Sequence, residues 1–171
     1  MHEELPRILL IVWHSRSGAA RQLAQAAQEA ARDVISELGA DDRVEVLLRT
    51  ADDAQTDDLL RADAYLFCAP ENLGSLSGAM KEFFDRNYYG VLEQINGRPY
   101  ALAISAGSDG SGAAKQAERI CTGWRLRAVA PAVIVNTAAQ TPEAILAPKT
   151  LNESQLEQAR TLGGTLAALL A

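Results

Sequence analysis

The segment Ile8–Ala20, ILLIVWHSRSGAA, joins an apolar run to a short polar loop and to the start of an alanine-rich stretch. The continuous apolar run Ile8–Trp13 is typical of a strand that is covered on both faces of a sheet. Apolar residues then recur at helical spacing until Gly39, which suits a helix C-cap; they are Leu23, Ala27, Ala30, Ala31, Val34 and Leu38. The segment therefore predicts a buried parallel strand that is followed directly by a helix.

The same alternation of strand and helix continues along the rest of the chain. Strand patterns cover Val44–Leu48, Ala64–Ala69, Pro99–Ser105 and Ala128–Asn136, the last of them interrupted by Pro131. Asp57–Ala62 reads as a short helix or turn, and three further helices follow, two that Ser77 and Ser111 can cap and a last one that Asn152 opens. Because crossovers between parallel strands are right-handed, such helices cover both faces of the sheet. We therefore predict one α/β domain over residues 1–171, with a doubly wound five-stranded parallel sheet of order 2-1-3-4-5.

Composition and charge argue against several classes of protein. The net charge is −6 and no cluster of lysines and arginines is present, so we do not expect a nucleic acid partner. No apolar run is long enough to span a bilayer, and the first residues, MHEELPR, carry acids where a signal peptide needs basic residues. We therefore expect a cytoplasmic protein without a membrane span. Cys68 and Cys121 lack metal-ligand spacing, which predicts no metal site, and Cys68 is expected to be a buried thiol.

The loop after the first strand has the composition of a phosphate site, and it lies where a doubly wound sheet binds ligands. It offers two hydroxyls, a glycine and the unpaired N–H groups of a helix N-terminus, where the helix dipole favours an anion. The alternative is that Ser17 only caps the helix. The patterns GxxxxGK[ST] and GxGxxG are absent, so ATP and dinucleotide sites lack their main signature. The candidate phosphate-binding residues are Ser15, Arg16, Ser17, Gly18, Ala19 and Ala20.

Two further loops follow the third and fourth predicted strands at the same edge. The first begins at residue 70, and its proline, glycine and leucine can offer a flat heteroaromatic ring a rigid backbone edge and an apolar face. Its candidate residues are Pro70, Glu71, Asn72, Leu73, Gly74 and Ser75. The second, SAGSDGSG at residues 105–112, is long, polar and rich in glycine. Such a loop at a carboxyl edge is more often functional than a mobile surface loop.

Two of these segments resemble motifs of the flavodoxin and FMN-reductase superfamily. VWHSRSGAAR is similar to its strand-1 loop, with Ser15, Ser17 and Gly18 at the hydroxyl and glycine positions. APENLGSLSGAMKEFFDR is similar to the FMN-reductase pattern Pro-x-x-x-x-Ser-x-x-Gly-x-(Leu/Met)-Lys-x-Phe-x-Asp-(Arg/Trp). The resemblance implies a flavodoxin-like fold with FMN as cofactor, its phosphate on the first loop and its isoalloxazine ring on the second. It also implies that the loop after the fourth strand contacts the pyrimidine end of the ring through Gly107, Ser108 and Asp109.

The chain departs from the family pattern in both motifs. Ala19 and Ala20 stand where the family often has Asn and Thr, which removes a hydroxyl contact to phosphate. The arginine between the two serines of this loop could replace that contact with its charge. Leu73 stands where many members place an aromatic residue against the ring. Tyr88 and Tyr89, from this chain or from a second subunit, are the alternative cover for the ring.

The resemblance implies an NAD(P)H-dependent oxidoreductase that passes electrons from NADH or NADPH through FMN to a quinone, a flavin or another small acceptor. No catalytic residue is predicted, because the cofactor carries the chemistry. Lys81, Asp85 and Arg86 are expected to form a salt-bridged helix face instead. Two alternatives stay open, namely a flavodoxin-type electron carrier with a redox protein partner, and a flavodoxin-fold domain with weak or lost FMN binding. A homo-oligomer is compatible with each, and a hydrolase pairing Cys68 with His14 lacks a third orienting group.

Overall fold

Strands and helices alternate along the chain in the computed structural model, which describes residues 4–171. The strands are β1 (Arg7–Trp13), β2 (Val44–Thr50), β3 (Ala64–Asn72), β4 (Ser75–Leu76), β5 (Pro99–Ala106), β6 (Arg127–Ala128) and β7 (Val133–Asn136). The helices are α1 (Ala19–Glu37), α2 (Thr56–Arg61), α3 (Gly78–Val91), α4 (Ser111–Gly123), α5 (Pro142–Leu146) and α6 (Glu153–Leu170). The alternation that the sequence predicts is confirmed, whereas β4 and α5 were not predicted.

The sheet has the strand order β2-β1-β3-β5-β6. β1 pairs in parallel with β2 and β3, and β3 pairs in parallel with β5. The predicted α/β class and parallel order are confirmed, since β5 is the fourth strand of the prediction. The predicted number of five strands is wrong, because the sheet formed by residues 4–171 has seven. The edge strand breaks around Pro131 into β6 and β7, and β4 folds back antiparallel onto β3.

Two apolar layers hold the helices against the sheet. Side chains alternate along β1, so that Leu10 and Val12 join the layer of α2, α3 and α4. Leu9 and Ile11 join the layer of α1 and α6 on the opposite face. All four side chains are buried, which explains why this strand has a continuous apolar sequence. Helices therefore cover both faces of the sheet, as predicted.

α1 and α6 make a close backbone contact within the second layer. A Cβ placed on Gly163 would overlap the carbonyl oxygen of Ala27, so glycine is required where the two helices approach. Asn152 opens α6, as predicted: it is the N-cap, and it exchanges capping-box hydrogen bonds of 2.9 and 3.0 Å with Gln155. This packing fixes the position of α1, whose N-terminus lies at the carboxyl edge of the sheet.

Membrane spans and metal clusters are not found in the described part of the chain. No helix within residues 4–171 is long and apolar enough to cross a membrane. Nor does this range contain a group of three or more His, Cys, Asp or Glu residues that could hold a metal ion. Cys68 is fully buried, and burial raises the pKa of its thiol, so the thiol stays protonated. The prediction of a buried thiol at Cys68 is confirmed.

Candidate functional site

The three predicted ligand loops lie side by side at the carboxyl edge of the sheet. β1, β3 and β5 are neighbours in parallel register, with Trp13 opposite Cys68 and Pro70 opposite Ser105. The chain segments that follow these strands therefore meet at one edge. Every candidate residue of the sequence lies in one of these loops or in an element directly attached to it.

The first loop turns into α1 at Gly18 rather than at Ser17. Gly18 is the N-cap, with φ 97°, and its N–H donates to Ser15 Oγ at 3.1 Å. The alternative in which Ser17 caps the helix is therefore wrong, because the Ser15 hydroxyl orders the turn. The backbone N–H groups of residues 19–21 have no acceptor within the described range 4–171. They lie at the positive end of the α1 dipole, which favours an anion.

A cavity of about 330 Å³ lies beside this loop. Two guanidinium groups and two serines face it, which gives it the chemistry of an anion site. One of the two arginines, Arg21, was not predicted. The first turn of α1 brings the Arg21 guanidinium back to Gly18. An arginine three residues after the glycine is therefore the sequence signal that could have predicted this contact. The lining residues are Trp13, Ser15, Arg16, Ser17, Gly18, Arg21, Leu146 and Pro148.

The outer wall of this cavity comes from the segment between β7 and α6, which the sequence did not connect with the site. The N–H of Lys149 donates to the carbonyl oxygen of Ser17 at 2.8 Å. The side-chain amide of Gln22 donates to the carbonyl oxygens of Lys149 at 2.7 Å and Gly18 at 2.9 Å. The same amide accepts from the N–H of Leu151 at 3.0 Å. Gln22 therefore fastens the segment to the start of α1, and the segment closes one side of the cavity.

The second loop is a tight hairpin between β3 and β4. Asn72 pairs with Ser75, which leaves Leu73 and Gly74 as the two turn residues. Both have positive φ, 53° and 76°, as in a type I′ turn. The side chain of Leu73 is fully exposed at the tip. The hairpin thus places an apolar side chain beside the carboxyl edge on a turn of defined geometry.

Two side chains of this hairpin reach the neighbouring loops. With its amide oriented to satisfy both of its contacts, Asn72 accepts from Nε of Arg16 at 3.0 Å. The carboxylate of Glu71 accepts from the N–H groups of Gly110 at 2.9 Å and Ala113 at 3.0 Å, at the start of α4. Both carboxylate oxygens of Glu71, a predicted ligand contact, are therefore engaged within the protein.

The third loop is ordered by its own side chains and by β7. Asp109 accepts from the N–H and the hydroxyl of Ser111 at 3.2 and 2.9 Å. The carbonyl oxygen of Ser108 accepts from the side-chain amide of Asn136, and Gly107 packs against the segment after β7. α4 begins at Ser111 and its N-cap is Gly110, so the predicted cap at Ser111 is wrong by one residue. The loop lies at the predicted edge, with the Asp109 carboxylate turned to its own helix.

His14 begins the first loop and bonds to the helix that follows the hairpin. Its Nδ1 lies 2.7 Å from the hydroxyl of Ser77, the buried N-cap residue of α3. Burial lowers the pKa of His14, the positive charge of Arg16 lowers it further, and Asp52 acts in the opposite direction. The folded protein therefore favours the neutral imidazole. A Cys68–His14 pair is excluded, because the Cys68 side chain belongs to the layer of α1 and α6 on the other face.

This environment makes stability depend on pH through His14. The unfolded chain has an ordinary histidine pKa near 6.5 and takes up the proton more readily than the folded chain. The stability contribution is therefore complete above about pH 6.5 and is lost as the pH falls below it. Between about pH 7.5 and 5.5, we expect the Tm of the wild type to fall more steeply than that of His14→Asn in thermal unfolding. Parallel curves for the two proteins would contradict this assignment.

The remaining residues of the second motif lie along α3. Lys81 pairs with Asp85 at 2.8 Å, and Arg86 bonds to a glutamate one turn earlier and to carbonyl oxygens of the loop after β2. The predicted salt-bridged helix face is confirmed. α3 starts at the carboxyl edge and carries Tyr88 and Tyr89 about 15 Å from its first residue, given the helical rise per residue. The alternative in which Tyr88 and Tyr89, from this chain or from a second subunit, cover the ring stays a prediction.

Comparison with known protein families identifies the family of this chain. Residues 6–140 match the family described as NADPH-dependent FMN reductase. The chain belongs to this family. The match runs from β1 to beyond β7 and includes all three loops of the candidate site. α5 and α6 lie outside it.

Individual relatives agree with the fold. A flavodoxin of Aquifex aeolicus (strain VF5) is 30% identical over 104 residues, which are 61% of this chain and 52% of that flavodoxin. The chain thus spans about half the length of this relative. A solved archaeal flavodoxin superposes with a TM-score of 0.75 at 18% identity, over 95% of this chain and 98% of that chain. A flavodoxin, WrbA-like protein from Agrobacterium tumefaciens gives 0.72 at 18% identity, over 96% and 97%. The fold is therefore flavodoxin-like.

Proposed function

We propose that residues 1–171 form a single FMN-binding domain and that the protein is an NAD(P)H-dependent oxidoreductase. The observation that carries this proposal is the arrangement of the carboxyl edge. A cationic cavity at the start of α1 lies next to a hairpin with an apolar tip and a glycine-rich loop. A phosphate joined by a short chain to a flat ring needs these two kinds of surface side by side. Membership of the NADPH-dependent FMN reductase family supports the same ligand.

The cavity suits the phosphate group of FMN. The N–H groups of residues 19–21 offer free donors at a helix N-terminus. Arg16 and Arg21 line the same cavity and add two positive charges. These charges offset the hydroxyl contact that is lost at Ala20. The residues that we assign to the phosphate are therefore the predicted Ser15 to Ala20, together with Arg21.

The hairpin and the third loop suit the isoalloxazine ring. The turn at Leu73 and Gly74 presents backbone atoms at a defined position, and the loop Gly107–Asp109 lies across the same edge. The exposed side chain of Leu73 is free to cover part of the ring. Since the Glu71 carboxylate is engaged with α4, we assign any contact of Glu71 with the ring to its backbone.

FMN would supply the redox chemistry, taking electrons from NADH or NADPH and passing them to a small acceptor such as a quinone or a flavin. The role of the protein is to bind the phosphate, orient the ring and shield one side of the ring from water. Two titratable side chains at this edge have structural partners, since His14 bonds to Ser77 and Asp109 to Ser111. We therefore assign them no proton transfer and propose no catalytic side chain.

A flavodoxin-type electron carrier with a redox protein partner is the second candidate. The relative from Aquifex aeolicus, which carries the name flavodoxin, favours it. The net charge of −6 also suits a basic partner surface, because opposite charges steer association.

Anaerobic reduction separates the two candidates. The protein is loaded with FMN and mixed with NADH or with NADPH in separate runs, with no other protein present. A reductase should lose the visible absorbance of the flavin with at least one of the two donors. A carrier should keep that absorbance until a reducing partner protein is added. A chain that takes up no FMN would overturn both candidates.

A further inference from the structure

One carboxylate joins the two loops that we assign to the ring. Glu71 lies at the base of the hairpin, and its two oxygens accept from the N–H groups of Gly110 and Ala113 at 2.9 and 3.0 Å. Gly110 is the N-cap of α4, and no side-chain cap is provided by that residue itself. Glu71 therefore caps α4 from a strand that lies 39 residues earlier in the chain.

Two further contacts hold the same surfaces together. The N–H of Leu76 donates to Oε1 of Gln116, in the second turn of α4, at 2.7 Å. A Cβ placed on Gly112 would overlap the carbonyl oxygen of Gly74, so the hairpin turn packs directly on the backbone of α4. The hairpin thus rests along the first two turns of this helix.

The charge of Glu71 suits this contact. Its carboxylate lies at the N-terminus of α4, where the helix dipole and the free N–H groups favour a negative charge. Hydrogen bonds to a charged group are also stronger than those between neutral groups. A neutral side chain of similar size would keep only part of this stabilisation.

We propose that Glu71 is a positioning residue for FMN, an inference that rests on the proposed function. Its carboxylate sets the separation between the hairpin tip and the loop Gly107–Gly110, and so the width of the ring site. A displacement of about 1 Å is enough to break contacts that depend on fixed backbone atoms. Glu71 does not touch α1 or the segment before α6, which form the phosphate cavity, and the hairpin reaches that cavity through the contact of Asn72 with Arg16. Loss of Glu71 therefore weakens the binding of the ring much more than the binding of the phosphate.

The test compares the wild type with Glu71→Ala and Glu71→Gln in binding FMN, riboflavin and inorganic phosphate, the last by competition with FMN. Glu71→Ala removes both acceptors, so FMN and riboflavin should bind about 10- to 100-fold more weakly by the same factor. Inorganic phosphate should lose much less affinity than riboflavin, because only the contact of Asn72 with Arg16 links the hairpin to the phosphate cavity. Glu71→Gln keeps one acceptor and should fall between. The visible spectrum and midpoint potential of bound FMN should shift in Glu71→Ala, which a loss of stability alone would not cause.

Glu118→Gln is the matched control, because Glu118 is an exposed acid on the same helix. It should bind all three ligands as the wild type does. In the flavin-free protein, amide hydrogen exchange at Gly110 and Ala113 should become faster in Glu71→Ala. Unchanged riboflavin affinity and an unchanged spectrum in Glu71→Ala would overturn the positioning role, and so would an equal loss of phosphate binding. A wild type that binds neither FMN nor riboflavin would instead overturn the proposed function, and this inference with it.

Discussion

Arg21→Ala should bind FMN about 10- to 100-fold more weakly than the wild type, a loss of roughly 1–3 kcal/mol. The reason is that Arg21 lines the cavity at the start of α1, beside N–H groups that have no acceptor in residues 4–171. Riboflavin has the same ring but no phosphate, so its affinity should not change. Arg16→Ala should weaken FMN as well, and riboflavin to a smaller extent, because Arg16 also bonds to Asn72 of the hairpin. Equilibrium titration followed by flavin fluorescence measures each affinity.

Arg32→Ala is the matched control for this series. Arg32 is an exposed arginine of the same helix, outside the set that lines the cavity. Its removal should leave both affinities within about twofold of the wild type, because surface charges more than a Debye length from a ligand are largely screened. Added salt should weaken FMN binding more in the wild type than in Arg21→Ala. An equal loss of FMN affinity in Arg32→Ala and Arg21→Ala would contradict the assignment of the FMN phosphate to this cavity.

Gly163→Ala should lower the free energy of unfolding by about 1–3 kcal/mol or more, the usual cost of overpacking. A methyl group at this position would overlap the carbonyl oxygen of Ala27, a backbone atom that moves only if α1 and α6 separate. Because the N-terminus of α1 forms the phosphate cavity, FMN affinity should fall as well, measured at a temperature at which the variant is folded. Urea denaturation gives the free energy and flavin titration the affinity.

The next residue supplies the control for this change. A Cβ on Gly164 would lie 3.3 Å from the nearest atom, a methyl carbon of Val34, which can shift slightly. Gly164→Ala should therefore leave stability within about 1 kcal/mol of the wild type, helped by the higher helix propensity of alanine. If both variants had the same stability, the close approach of α1 and α6 at Gly163 would be disproved.

The layers of the fold could be predicted because they depend on local patterns. A parallel strand that is buried on both faces, such as Ile8–Trp13, must be apolar throughout, and an amphipathic helix must follow it. The break in the edge strand was also visible, since Pro131 cannot donate a hydrogen bond to a neighbouring strand. The hairpin was missed because its turn places Leu73 at positive φ, where the usual signal is Asn-Gly.

The site could be predicted only in part, because only some of its features depend on local sequence patterns. The phosphate loop is local, since hydroxyls and a glycine at a helix N-terminus stand next to one another in the sequence. The contacts that shape the site join distant segments. Gln22 binds residues 127 and 129 positions later, and Glu71 binds the start of α4. No local pattern predicts such pairs, because only the topology of the sheet brings them together.

The central claim, that this edge of the sheet binds FMN by its phosphate and its ring, is tested most directly by one titration. The purified, flavin-free protein is titrated with FMN and, in parallel, with riboflavin, and bound flavin is followed by absorbance and fluorescence. We predict saturable binding of one FMN per chain with a Kd of about 1 µM or lower, and a Kd at least about tenfold higher for riboflavin. No saturable FMN binding up to about 1 mM, or equal affinities for FMN and riboflavin, would contradict the account.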